Sequence, residues 1–175
     1  MSQLTSPLPD SIVPVVNELK ASFENVILDA YSNSGDVFIL IQRDALLKVA
    51  AELKEVHHFT YLTDVFGIDR YTSEDRFEVV YNLVDLKFGR RIFLKVRCTE
   101  ANPIVESVTP VWPNADWSER EVYDMFGIQF LNHPDLRRIY MPEDFEYYPL
   151  RKEFPLLGIP GSIDLPATTP DPDLS

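Results

Sequence analysis

Apolar residues recur at helical spacing in two stretches near the start of the chain. After Ser11, the residues Ile12, Val15, Val16, Leu19 and Phe23 lay one stripe along a helix, and Pro14 is tolerated because it falls in the first turn. A second helix begins at Asp44, with Leu46, Leu47, Val49, Ala50, Leu53 and Val56 on its apolar side and Lys48, Glu52, Lys54 and Glu55 on its solvated side. Between the two, residues 26–31 and 36–42 are apolar runs separated by Ser32-Asn33-Ser34-Gly35, a turn composition that predicts a hairpin. Residues 59–65, 77–86 and 91–98 are rich in β-branched and aromatic residues and read as strands. The first is broken at Gly67, and the other two pair as a hairpin around Lys87-Phe88-Gly89-Arg90. In the last strand Ile92, Leu94, Val96 and Cys98 face one way and Arg91, Phe93, Lys95 and Arg97 the other, which predicts one covered face and one polar or partner-facing one.

Residues 104–108 start either a helix or a short strand, and Pro110-Val111-Trp112-Pro113 interrupts it. A third helix follows, with Asp116 placed to cap its first turn, Glu119 to complete a capping box and Gly127 to end it in the left-handed conformation. Helices before and beside a mainly antiparallel sheet make an α+β domain over residues 1–141. From residue 142 the character changes: seven of the fourteen prolines fall in the last 34 residues. Such a segment cannot build a sheet interior, so residues 142–175 are expected to form an extended proline-rich arm over another surface rather than an independent domain.

Charge narrows the choice of partners. A formal net charge of -12 argues against nonspecific binding to nucleic acid, which needs Lys and Arg against phosphates, and disfavours an anionic membrane surface. Arg90, Arg91, Lys95 and Arg97 nevertheless form one basic cluster, and Arg137, Arg138, Arg151 and Lys152 another, so local basic faces could meet an acidic partner. No run approaches the roughly 18 apolar residues that span a bilayer, and the first residues carry no basic flank with an apolar core, which places the chain in the cytoplasm. The single Cys98 excludes an intrachain disulfide and an iron–sulfur cluster ligated by this chain alone, and it reads as a buried small hydrophobe. The sequence contains no phosphate-binding glycine loop, no HExxH helix and no GxSxG elbow.

The densest chemistry lies in residues 119–140, where eight ionisable groups, tyrosines aside, fall within twenty-two positions. Glu119 and Glu121 lie about 200° apart on a helix, so they do not converge on one substrate bond as paired acid/base carboxylates must. Arg120 and Asp124, four residues apart, are expected to pair on one face, with Val122, Met125 and Phe126 as the buried stripe. His133 is either a proton carrier tuned by Asp135 or a loop histidine that hydrogen-bonds at the start of the Asp135-Leu136-Arg137 turn. Arg137, Arg138, Arg151 and Lys152 are candidates for salt links to another chain, with a solvated surface as the alternative. Trp112, Trp117, Phe145, Tyr147 and Tyr148 either finish a core or anchor an interface. His57 and His58 close the second helix and, being adjacent, do not form a metal pair on one helix face.

The order Glu119-Arg120-Glu121, Asp124, two apolar residues, His133, Arg137 and Ile139 resembles the signature of the 30 kDa subunit of bacterial proton-translocating NADH:quinone oxidoreductase, respiratory complex I. The likeness continues through Met141-Pro142-Glu143-Asp144 and Pro149-Leu150-Arg151-Lys152-Glu153-Phe154-Pro155, covering roughly residues 59–156. The resemblance implies a peripheral-arm subunit that carries no redox centre, lying against the subunit with the terminal iron–sulfur cluster and the subunit forming most of the quinone cavity. FMN and iron–sulfur clusters would then belong to partner subunits, and association with the cytoplasmic side of the cell membrane would be indirect, through the complex. Glu119, Arg120, Glu121, Asp124, His133, Arg137 and Ile139 carry over as signature positions, not as catalytic residues. A ferredoxin-driven or hydrogenase-type relative, a stand-alone acid/base hydrolase using Glu119, Glu121 and His133, and a free acidic binding module are the alternatives.

Overall fold

A computed structural model describes residues 6–155. Helix α1 spans Val13–Ser22 with its proline in the first turn, and it buries Val15, Val16 and Leu19. Strands β1 (Ile27–Asn33) and β2 (Asp36–Ile41) form the expected hairpin, closed by Ser34 at φ 53° and Gly35 at φ 90°. Two positive φ values in a two-residue loop match the twist of the flanking strands. Asp44 does not begin the second helix directly; it lies in a 3-10 turn over Arg43–Ala45 that leads into α2, Leu46–Glu55. Leu46, Val49, Ala50 and Leu53 are the buried residues of α2.

Strands β3 (Tyr61–Asp69), β4 (Phe77–Asp85) and β5 (Arg90–Cys98) complete a five-stranded sheet of order β1-β2-β5-β4-β3. Its pairings are antiparallel except the central β2–β5 pair, so the sheet is mainly antiparallel as expected. One face carries Val37, Ile39, Ile41, Phe77, Val79, Tyr81, Leu83 and the alternate residues Ile92 to Cys98, which join the apolar stripes of α1 and α2 in one core. On the opposite face Tyr31, Phe38 and Phe93 stack at 5.2 and 5.1 Å between ring centroids, and Glu78 pairs with Lys95 and Arg97.

Gly67 does not break β3, contrary to the sequence expectation. The strand runs through it, paired with Val79 of β4, and the glycine is required because the Phe126 ring lies 2.6 Å from where a Cβ would stand. A second sheet pairs the short strand β6 (Ile104–Glu106) with β7 (Gln129–Leu131) in parallel. These two strands bracket helix α3, Ala115–Phe126, which packs against β3.

Candidate functional site on the third helix

Helix α3 ends as predicted. Gly127 adopts φ 74°, and its N–H donates to the Tyr123 carbonyl at 2.8 Å. Its start differs from the capping box read from the sequence. The helix begins two residues earlier, at Ala115, and the Asn114 side chain at the cap position donates instead to the Leu62 carbonyl on β3, 2.7 Å away. Glu119 does not turn back to the cap either. It is fully buried and reaches across to the segment after β6, where one carboxyl oxygen accepts the Val108 N–H at 2.8 Å and the other lies 2.6 Å from the Ser107 hydroxyl. Burial pushes Glu119 up to about 7; the bonds from Ser107 and Val108 counter it, and the nearby Asp116 charge adds to it.

The His133 side chain, with no solvent exposure, sits beside this pocket. Its Nδ1 accepts the Asp135 N–H at 3.1 Å, the turn bond expected of a loop histidine. Nε2 therefore carries the ring proton, pointing toward the Asp116 carbonyl at 3.2 Å and carboxylate at 3.4 Å, with Glu119 at 3.9 Å.

Asp124 sits on the same helix in a different pocket. One oxygen accepts the backbone N–H groups of Ile139 (3.0 Å), Tyr140 (2.7 Å) and Met141 (3.0 Å), and the other accepts Arg138 Nη1 at 2.9 Å. Burial works to raise this carboxyl, but the three N–H bonds and the Arg138 charge outweigh it and hold it below the usual aspartate value. The expected Arg120–Asp124 pair is not formed. With Asp124 enclosed by the 138–141 backbone, Arg120 turns to stack under Trp117, 4.6 Å from the ring centroid, and donates to the Arg137 carbonyl at 3.3 Å. Val122 and Phe126 are buried as expected of the apolar stripe, and Met125 is half-buried.

The first part of the proline-rich segment is fastened over the end of α3. Leu150 N–H donates to the Met125 carbonyl at 3.1 Å, and Arg151 Nε to the Phe126 carbonyl at 2.7 Å. Arg151 also lies over the rings of Tyr148 and Phe77. One more fastening had no signal in the sequence pattern. Asp69, at the end of β3, accepts Arg76 Nε (3.0 Å), Arg76 Nη2 (2.8 Å), the Tyr71 N–H and the Lys152 N–H (2.9 Å), while Arg76 also holds Glu100 and Glu153. Burial would raise Asp69, yet the Arg76 bond and the two backbone bonds bring it down to about 2.

Of the four cations offered to an interface, Arg138 and Arg151 are thus committed within the chain. Lys152 is exposed beyond its backbone bond, and Arg137 is an exposed partner of Asp135 at 3.0 Å. Glu121 is exposed and Glu119 sealed, so the two glutamates do not share a cleft. Residues 156–175, the rest of the expected arm, lie outside the described residues. Among the described residues no three His, Cys, Asp or Glu side chains gather as a metal site, and no helix is long and apolar enough to cross a membrane.

A family profile described as "Respiratory-chain NADH dehydrogenase, 30 Kd subunit" matches residues 39–159. The chain belongs to this family. The related NADH-quinone oxidoreductase subunit from Citrifermentans bemidjiense is 42% identical to it over 143 residues, which cover 82% of this chain and 89% of the relative. Its equivalent from Geobacter sulfurreducens is 42% identical over 144 residues, with the same shares covered. Among solved structures, the trypsin-resistant fragment of Nqo5 superposes with a TM-score of 0.62 at 34% identity, covering 72% of this chain and 99% of the fragment. A chain of an archaeal membrane-bound sulfane sulfur reductase superposes with a TM-score of 0.70 at 21% identity over 82% of this chain and 85% of its own, a likeness of fold alone. The 30 kDa-subunit match spans α2 through α3 and the fastened segment, so it includes both carboxylate pockets.

Proposed function

We propose that this chain is a non-redox scaffold subunit in the peripheral arm of a proton-translocating NADH:quinone oxidoreductase. It supports a neighbour that carries the terminal iron–sulfur cluster and a neighbour that forms the quinone cavity, while electrons pass from NADH through FMN and clusters to quinone. The observation that carries this reading is how buried signature residues are used: Glu119 and Asp124 fasten backbone from elsewhere in the chain to α3, the latter with Arg138 beside it, His133 sits against the Asp116 carbonyl, and Ile139 contributes its N–H. A chain whose buried signature residues brace its own backbone acts through the shape it presents. In this reading the α+β unit up to residue 141 forms the domain, and residues 142–155 are a strap anchored on α3. The complex lies at the cytoplasmic side of the cell membrane, and this subunit meets the membrane only through it. The hydrolase alternative loses its support because Glu119 and Glu121 face different surroundings.

Affinity purification of the tagged chain from gently solubilised membranes, with mass spectrometry, an iron assay and a quinone-reductase assay, tests this reading. A large iron-rich assembly that oxidises NADH and reduces quinone is the expected result. A lone iron-free chain would overturn it, and an assembly that accepts electrons only from ferredoxin or hydrogen would replace the donor.

A further inference from the structure

Along the exposed side of α3, Trp117, Glu121 and Met125 recur at intervals of four and form one stripe. Trp117 is 64% exposed, and beside the stripe lie Tyr140 at 60%, Leu150 at 52% and Phe66 at 37%. Glu121 joins several of them: the Tyr140 hydroxyl stands 3.4 Å from it, and Phe66, Glu121, Met125 and Leu150 line one small groove of about 110 Å³, one helical turn from Trp117. The indole is held in advance of binding, because the buried Arg120 guanidinium stacks against it and is itself tied to the Arg137 carbonyl. A large exposed aromatic already fixed in place loses little freedom on binding, which is the property of an interface anchor.

We propose that this stripe is a docking surface for a basic segment of a partner protein, which sets an aliphatic side chain into the groove and a Lys or Arg against Glu121 and Asp64. The inference rests on the scaffold reading and adds to it the face and the chemistry of the contact. Charge complementarity selects the occupant. Glu121 meets only the Tyr140 hydroxyl, and Asp64 accepts its own neighbour Val65 N–H at 2.8 Å and the Ser118 hydroxyl at 3.4 Å; neither carboxylate has a cation beside it among the described residues. A second copy of the chain brings the same carboxylates and a net charge of -12, and a nucleic acid or anionic membrane brings charge of the same sign, so all three are repelled. A basic segment removes the repulsion and covers the exposed aromatics together.

The test uses the full-length chain expressed in place of the native copy, with Trp117→p-benzoylphenylalanine as a photo-crosslinker, followed by sequencing of crosslinked peptides from the purified complex. The expected result is a crosslink to a single partner peptide containing Lys or Arg, and at least a tenfold fall in recovered complex for Glu121→Lys with the melting of the isolated chain unchanged. Glu121→Gln should give a smaller fall. Assembly of the complex with position 117 open to solvent and uncrosslinked would overturn the docking face while leaving the scaffold reading intact. A crosslink to a peptide without a basic residue, or to a second copy of this chain, would overturn the stated chemistry. Failure of the unmodified chain to co-purify with any partner would overturn the scaffold reading, and this inference with it.

Discussion

Glu119 and Asp124 stand five residues apart on one helix, both without solvent exposure, yet one is pushed up to about 7 and the other held below its usual value. Burial disfavours the anion at both sites, so the surroundings decide. Asp124 receives three backbone N–H groups and a guanidinium, whereas Glu119 receives one N–H and one hydroxyl and has another carboxylate nearby. The first pocket favours the charge outright, whereas in the second burial outweighs two donors and raises the carboxyl to about 7. Both bind backbone from elsewhere in the chain to α3.

The largest effect should come from breaking the charged pocket. Asp124→Ala leaves the Arg138 guanidinium buried without its partner and three N–H groups without an acceptor, a loss of about 3–5 kcal/mol, measurable by urea unfolding of the isolated chain. Faster trypsin cleavage after Arg137 and Arg138 should accompany it.

The Glu119 pocket should show itself through pH. The folded value of Glu119 lies above its unfolded value of 4.5, so its protonation stabilises the fold fully below pH 4.5, and that contribution is lost as pH rises through about 7. A shift of this size corresponds to roughly 3 kcal/mol. Glu119→Gln, which cannot ionise, should flatten the fall in stability between pH 5 and pH 8; an unchanged profile would place the titration elsewhere.

Asp69 gives the opposite slope. Its folded value of about 2 lies below the unfolded 3.8, so its stabilisation is present above pH 3.8 and is lost as pH falls toward 2. About 2 kcal/mol is at stake, and Asp69→Asn should remove that acid-side dependence in unfolding curves. Arg137→Ala, by contrast, removes an exposed ion pair and should change stability by less than about 0.5 kcal/mol. Its effect belongs to assembly: a lower yield of complex would assign Arg137 to an interface, and an unchanged yield would return it to solvent.

The same contrast explains what was legible in the sequence. Periodicity and turn chemistry are local, so α1, α2, the two hairpins and the end of α3 at Gly127 could be read directly. The spacing of Arg120 and Asp124 misled because an i,i+4 pair gains only a few tenths of a kcal/mol, less than a buried carboxylate gains from three N–H donors and Arg138. Glu119 likewise has a stronger claim on it, from Ser107 and Val108, than the helix cap. Gly67 punctuates a strand in isolation and accommodates Phe126 in the fold. The network of Asp69, Arg76, Lys152 and Glu153 includes a bond between positions 83 apart in sequence, and no local pattern marks it. Glu119 and Asp124 were identifiable as important residues because the signature is dense in charge; their roles were not, because those roles are set by backbone from elsewhere in the chain, whereas the turn bond of His133 is local and could be read.

The most direct test of a scaffold role separates how much complex forms from how fast each complex works. Quinone reduction per assembled complex, normalised to flavin content, should be unchanged in Glu119→Gln, Glu121→Gln and His133→Asn, while the amount of complex falls in those that loosen the fold or the docking face. A variant that assembles to the normal level but turns over at a tenth of the normal rate would contradict the account and give this chain a part in the chemistry itself.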